Sequence, residues 1–238
     1  MGVRGFVSRL VALALITACG SGGSASYEQS HSPSQILADA DLATISTRSY
    51  HVAINETAET GPTSAEVDVE NGNASGKIIA NGIRVRITHV NEQTFIYGSD
   101  LAQILYITNP RVADTVNTKA PDRWVLVPPD IWSSGFSKAL DLRKMSSCLK
   151  GLSGVVKKGT SNISGHAVVE LDDPARSQIY VQTAAPHHYV RVVFPTSHGC
   201  ATDSTARSQM IDLTQFEAKF NIAAPAGYAD LTTLAAGG

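Results

Sequence analysis

Apolar and polar residues alternate with a period of two through much of the chain. Between residues 83 and 90, Ile83, Val85 and Ile87 fall on one side and Arg84, Arg86 and Thr88 on the other. This is the pattern of a strand with one buried face. Asn71-Gly72 and Asn81-Gly82 are hairpin dipeptides, because both residues of the favoured turn need positive φ. They bracket a strand over Ala74 to Ala80. Asn91-Glu92-Gln93 turns the chain again, and Thr94-Phe95-Ile96-Tyr97 follows as a strand. With Ser49 to Ile54 ahead of them, these segments make a meander of adjacent antiparallel strands. A second meander runs through Gly165–Leu171, Gln178–Thr183 and His188–Phe194. Its turns are Asp172-Asp173-Pro174 and Ala185-Pro186, and Met210–Ile222 is the closing strand. Between the meanders, Arg123–Val127 is a strand ended by Pro128-Pro129.

In two places the period changes to helical. Ser32-Pro33-Ser34-Gln35 combines an N-cap, a first-turn proline and a capping-box glutamine. Ile36, Ala40 and Ala43 follow on one face, predicting a helix over about 33–47. Farther on, Phe136, Ala139, Leu142, Met145, Leu149 and Leu152 step by three or four residues. They predict a helix from about 136 to 152, stopped by Gly151 and Gly154. Leu101–Tyr106 fits a strand or a short helix equally well. Asn109–Asp122 reads as a polar loop with two prolines, and the last ten residues as disordered. The order is helix, meander, helix, meander. It predicts an α+β fold, one large antiparallel sheet with two helices on one face. A curved sheet covered in this way can enclose an apolar cavity.

The N-terminus carries an address. Arg4 and Arg9 precede the apolar run Leu10–Ile16, and Thr17-Ala18-Cys19 follows it. The run is far shorter than the ~20 residues that span a bilayer, so it reads as an export signal. An aliphatic residue, two small residues and a cysteine match the bacterial lipobox. Residues 1–18 are then the signal peptide, Cys19 is acylated, and 19–31 form a flexible tether rich in Gly and Ser. Two or more acyl chains hold firmly to a membrane where one does not. The chain is therefore expected on the outer side of the bacterial cell membrane. Removing residues 1–18 takes away two arginines and no acidic residue, which leaves 17 basic against 21 acidic side chains. That balance gives no support for nucleic-acid binding. Acylation of Cys19 leaves Cys148 and Cys200 as an even pair in an oxidising compartment, which reads as a disulfide. The alternative is two buried thiols. Closing a loop of about 50 residues is worth roughly 4 kcal/mol in the chain-entropy model.

Catalytic motifs are scarce. Ser147-Cys148-Leu149-Lys150 fits S-x-x-K, but its companions S-D-N and K-T-G are missing. A helix-surface Ser and Lys is the simpler reading. His187 and His188 would point to opposite faces of a strand. Together with His166 and His198 they read as solvent-facing or loop histidines, so no metal site is expected. No cofactor motif is present, and the chain is not read as an enzyme.

Several features resemble the mycobacterial lipid-transfer lipoproteins of the LppX and LprG type, related to the LolA/LolB-like carriers. They are the Cys19 lipobox, the helix near Ile36, the Ser49-Tyr50-His51-Val52 strand, the Gly72–Tyr97 meander and Arg123-Trp124 ahead of a helix. Ile163-Ser164-Gly165-His166 and the ending Ile211–Phe216 add to the likeness. The resemblance implies a half-barrel whose helices close an apolar cavity that holds acyl chains. It implies binding, and transfer, of lipid or lipoglycan without covalent chemistry. The cavity is expected to be lined by Val85, Ile87, Phe95, Tyr97, Trp124, Trp132, Phe136, Leu140, Val190, Val192 and Phe194. Residues 32–228 form the single domain, expected as a monomer, and 229–238 the disordered tail. The Cys148/Cys200 pair departs from the family pattern and would limit the swing of the second helix. The alternative is an envelope interaction or assembly module without a lipid cavity.

Overall fold

A computed structural model of the chain describes residues 26–58, 61–129, 142–195, 198–201 and 207–236. Two short helical segments open it, α1 (Tyr27–Ser30) and α2 (Pro33–Ser46). Strands β1 (Ser49–Ala58), β2 (Gly61–Glu70), β3 (Asn73–Ala80), β4 (Ile83–Val90) and β5 (Gln93–Tyr97) follow. Helices α3 (Gly98–Thr108) and α4 (Pro110–Lys119) lead to β6 (Trp124–Val127). Then come α5 (Leu142–Lys150), β7 (Val156–Ile163), β8 (His166–Asp172), β9 (Gln178–Gln182), β10 (Tyr189–Phe194) and β11 (Ser208–Thr214). The chain closes on β12 (Ala229–Asp230) and α6 (Leu231–Ala236).

The local chemistry explains these boundaries. At α2 the capping box is complete. Gln35 N–H donates to Ser32 Oγ at 3.3 Å, and Ser32 N–H donates to Gln35 Oε1 at 2.7 Å. Asn71 and Asn81 sit at φ 51°, and each is followed by a glycine with positive φ. Those are the backbone values a two-residue hairpin turn needs.

Twelve strands of the described residues form one sheet in the order β12-β6-β5-β4-β3-β2-β1-β11-β10-β9-β8-β7. Adjacent strands are antiparallel apart from β12, which runs parallel to β6. The sheet does not close on itself, and helices cover one of its faces. The expected α+β architecture is thus present. Gly76 on β3 lies opposite Val67, and a Cβ there would come within 2.7 Å of Val67 Cα. The two strands approach more closely at this point than a side chain allows, as occurs where a sheet bends.

Several expectations need correction. Residues 109–122 are not a polar loop: Asn109 caps α4 by accepting from Val112 N–H at 3.3 Å, and Pro110 occupies the first turn. The signal was a cap-proline pair, hidden by the low apolar content of the helix. Leu101–Tyr106 belongs to a helix. Strand β7 carries no periodic signal, because seven of its eight residues are exposed and apolar alternation is absent. The closing strand stops at Thr214. The tail is not disordered through 229–236, since β12 pairs with β6 and Leu231 of α6 is buried. Within the expected tether, Tyr27–Ser30 is helical. Of the helix expected over 136–152, residues 142–150 are described and helical; 136–141 lie outside the described residues.

Candidate functional site

Register sorts the side chains into two faces. Val52 pairs with Val67 and Leu213, Gly76 with Ile87, Ile87 with Ile96, and Ile96 with Val125. Ile211 pairs with Ile54 and Val192, and Val192 with Ile179. These residues pack with Ile36, Leu37 and Ala40 of α2 and Leu101, Ala102 and Leu105 of α3 in one apolar core. They define the helix side of the sheet.

The centre of the helix side is sealed. Val52, Ile87, Ile96, Val125, Val192, Phe194 and Ile211 have no surface accessible to a water-sized sphere. A wall of a roomy internal cavity would keep some. At one end the sealing relaxes. Ala65 pairs with Ile54 and Ile78, Ile78 with Val85, and Ala80 with Ile83. Ala65, Ile78 and Ile83 are only half-buried, although they pack against the core. Glu56 and Thr63 form the polar border of this strip through the pairing Glu56–Thr63–Ala80. Glu56 accepts from the buried Gln209 Nε2 at 2.9 Å.

Three contacts fasten the helices above the sheet. Asp41 of α2 is buried and accepts from Ser146 Oγ at 2.9 Å and Lys150 Nζ at 3.0 Å, both on α5. Cys148 of α5 is joined to Cys200 beyond β10 by a disulfide, with Cα atoms 5.5 Å apart. Tyr189 Oη donates to Leu37 O at 3.3 Å from the sheet, and burial pushes its pKa up.

The expected cavity residues divide accordingly. Val85, Ile87, Val192 and Phe194 are on the helix side, but as packed core. Phe95 pairs with Thr88 and Leu126, and Tyr97 with Trp124, on the far face. The expectation that Phe95 and Tyr97 share the parity of Val85 and Ile87 is therefore corrected: the Asn91-Glu92 turn brings Ile96 opposite Ile87. Trp124 goes with Tyr97, their rings 5.7 Å apart edge to face. Phe95 is covered by Tyr228 at 5.0 Å. Val190 sits at a β-bulge, buried outside the main core cluster. Cys19, Trp132, Phe136 and Leu140 lie outside the described residues. The half-buried strip of Ala65, Ile78 and Ile83 was not singled out from the sequence. The alternation that includes Ile83 is its signal, but incomplete coverage is a tertiary property.

The histidines are mostly structural. His188 is buried, not solvent-facing, and stacks on Phe216 at 3.9 Å. Burial holds its pKa below the ordinary histidine value. His187 stacks on Tyr27 at 3.9 Å. His198 Nδ1 accepts from Cys200 N–H at 3.0 Å, so Nε2 carries the proton that points at Asp173 Oδ2, also at 3.0 Å. Among the described residues no group of three or more His, Cys, Asp or Glu could hold a metal ion. In the S-x-x-K segment, Ser147 is exposed and the Lys150 amine is committed to Asp41. No described helix is long and apolar enough to cross a membrane.

The far face is largely polar, and most of its charged side chains are paired with a neighbouring strand or with α3. Arg86 holds Asp100 through two contacts of 2.9 Å. Burial opposes ionisation of Asp100, but the guanidinium and the Arg86 N–H outweigh it and keep the carboxyl below its usual range. Lys77 meets Glu66, Arg191 meets Asp212, and His51 meets Asp68. A groove of about 640 Å³ opens where β10, β11, β1, β2 and β3 lie side by side.

No family model matches the sequence, and no curated protein matches it. Solved structures do. LprF from Mycobacterium bovis aligns over 82% of this chain and 97% of its own, with a TM-score of 0.57 and 17% identity. The Mycobacterium tuberculosis lipoprotein LppX aligns over 81% of this chain and 100% of its own, with a TM-score of 0.51 and 18% identity. The open sheet with helices on one face is therefore an LppX/LprG-type fold.

Proposed function

We propose that the protein is an extracytoplasmic lipoprotein, anchored through acylated Cys19, that binds lipid non-covalently and has no enzymatic activity. The observation that carries this reading is the half-buried apolar strip of Ala65, Ile78 and Ile83. It lies on the helix side of a sheet whose fold is shared with lipoproteins. The described centre of that side is sealed, so acyl chains would sit against the strip. The lipobox supports the anchor, and transfer between membranes is the further step that a tethered carrier would perform.

The test is native mass spectrometry of the full chain, expressed with its export signal and extracted from membranes. The expected result is a polypeptide beginning at acylated Cys19 with an additional non-covalent lipid. Ile78→Glu should lose the lipid while keeping the fold, because an ionised carboxylate against acyl chains is strongly unfavourable. A wild-type protein that carries no lipid beyond its own acyl chains would retire the reading. The packed centre of the helix side favours a second reading, a tethered interaction module, which predicts that lipid-free outcome.

A further inference from the structure

The pairing of polar groups on the far face stops at a definite row. His51 meets Asp68, Glu66 meets Lys77, Ser75 Oγ meets Thr88 Oγ1 at 3.0 Å, and Arg191 meets Asp212. The next row across the sheet is Val193, Met210, Asn55, Ser64 and Ile79. Beyond it lie Ser208, Thr57 and Pro62. These eight residues line the 640 Å³ groove. The amide of Asn55 and the hydroxyls of Thr57, Ser64 and Ser208 have no hydrogen-bond partner among the described residues.

Three features define what would fit. The unpartnered groups are neutral and can both donate and accept. Formal charge is nearly absent from the lining: Glu56 is its one ionisable residue, and its side chain lies on the helix side of the sheet, where Gln209 engages it. Arg84 stands outside the lining, across from Ile79. Polar groups also alternate with aliphatic surface from Val193, Met210 and Ile79. Adjacent strands place these groups about 4.8 Å apart, comparable with the width of a sugar ring. A sugar presents the complementary surface, with hydroxyls on its edge and C–H groups on its faces.

We infer that this groove binds a soluble, uncharged saccharide chain, at a site on the opposite face of the sheet from the apolar strip. Asn55, Ser64, Thr57 and Ser208 supply the hydrogen bonds, and Met210 and Val193 carry the C–H face. The site is independent of the lipid reading.

The test is titration of the full mature chain with a panel of neutral hexasaccharides, namely maltohexaose, cellohexaose, mannohexaose and hexa-N-acetylchitohexaose, followed by backbone amide shifts. At least one should move the amides of β1, β2 and β11, with affinity unchanged between low and high salt. The double variant Asn55→Leu/Ser64→Leu should bind that saccharide at least about tenfold more weakly with an unchanged melting temperature. Ser64→Thr, which keeps the hydroxyl, should bind normally. The shift map on the unaltered protein reads the site even if the double variant fails to fold. Silence from the whole panel at millimolar concentration overturns the proposal. So does binding that maps elsewhere, or tighter binding of an uncharged extended peptide in the same groove.

Discussion

Asp41 illustrates how much depends on the partners of one buried side chain. It binds a buried hydroxyl, Ser146, and an exposed cation, Lys150. These contacts differ in worth. A buried hydrogen-bonding group left without its partner costs about 1–3 kcal/mol, whereas an ion pair with a solvent-exposed lysine is worth under about 1 kcal/mol. Asp41→Ala is therefore expected to lower unfolding free energy by about 1–3 kcal/mol, and Lys150→Ala by less than about 1 kcal/mol. Denaturant titration of the two variants checks the ranking. His188 gives a pH prediction. Burial favours its neutral form, so its folded pKa lies below the ordinary histidine value of 6.5. The unfolded chain then binds more protons between the two values, and stability rises with pH across that window. The contribution is fully present above about pH 6.5 and is lost as pH falls toward the folded pKa. His188→Gln should flatten this part of the stability–pH curve; an unchanged slope would show that other groups dominate it.

At the scale of elements, the disulfide is the strongest single constraint on α5. Cys148 and Cys200 are 52 residues apart, and closing such a loop is worth roughly 4 kcal/mol in the chain-entropy model, with measured values often lower. The pair Cys148→Ser/Cys200→Ser is expected to lose about 2–4 kcal/mol and to speed amide exchange in 142–150 more than in β1 or β4. Equal exchange throughout would mean that α5 is held by packing alone. Elements with strong local signals were legible from the sequence: the α2 capping box, the Asn-Gly hairpins and the strand Ile83–Val90. Less legible were elements whose signal is not periodic. β7 is an edge with seven exposed positions. α4 has few apolar residues, with Ala113 and Val116 buried and Val112 packed beside them, and α6 depends on contacts formed far along the chain. Residue parity across the Asn91-Glu92 turn was not legible, because the turn sets which residue of β5 faces Ile87. A shift of one residue moves every side chain of β5 to the other face, and it took Phe95 and Tyr97 with it.

The whole molecule poses a question of access. The described centre of the helix side has no accessible surface for an acyl chain, and α2, α5 and the sheet are fastened together by Asp41, by the disulfide and by Tyr189 against Leu37. A lipid has two routes to this face. It could pry α5 from the sheet, or it could settle on the strip of Ala65, Ile78 and Ile83. The first route breaks the Asp41 contacts and is opposed by a covalent bond. The second adds apolar contact to side chains that are already half-exposed, at about 25 cal/mol per Å² newly covered. The second route should win. A fluorescent acyl probe is therefore expected to load at the same rate into the oxidised protein and into Cys148→Ser/Cys200→Ser, despite their difference in stability. Ile83→Glu should weaken loading by about tenfold, equivalent to ~1.4 kcal/mol, because the new carboxylate must be desolvated beneath the probe. Faster loading after the disulfide is removed, with Ile83→Glu indistinguishable from wild type, would place the entrance beneath α5 instead.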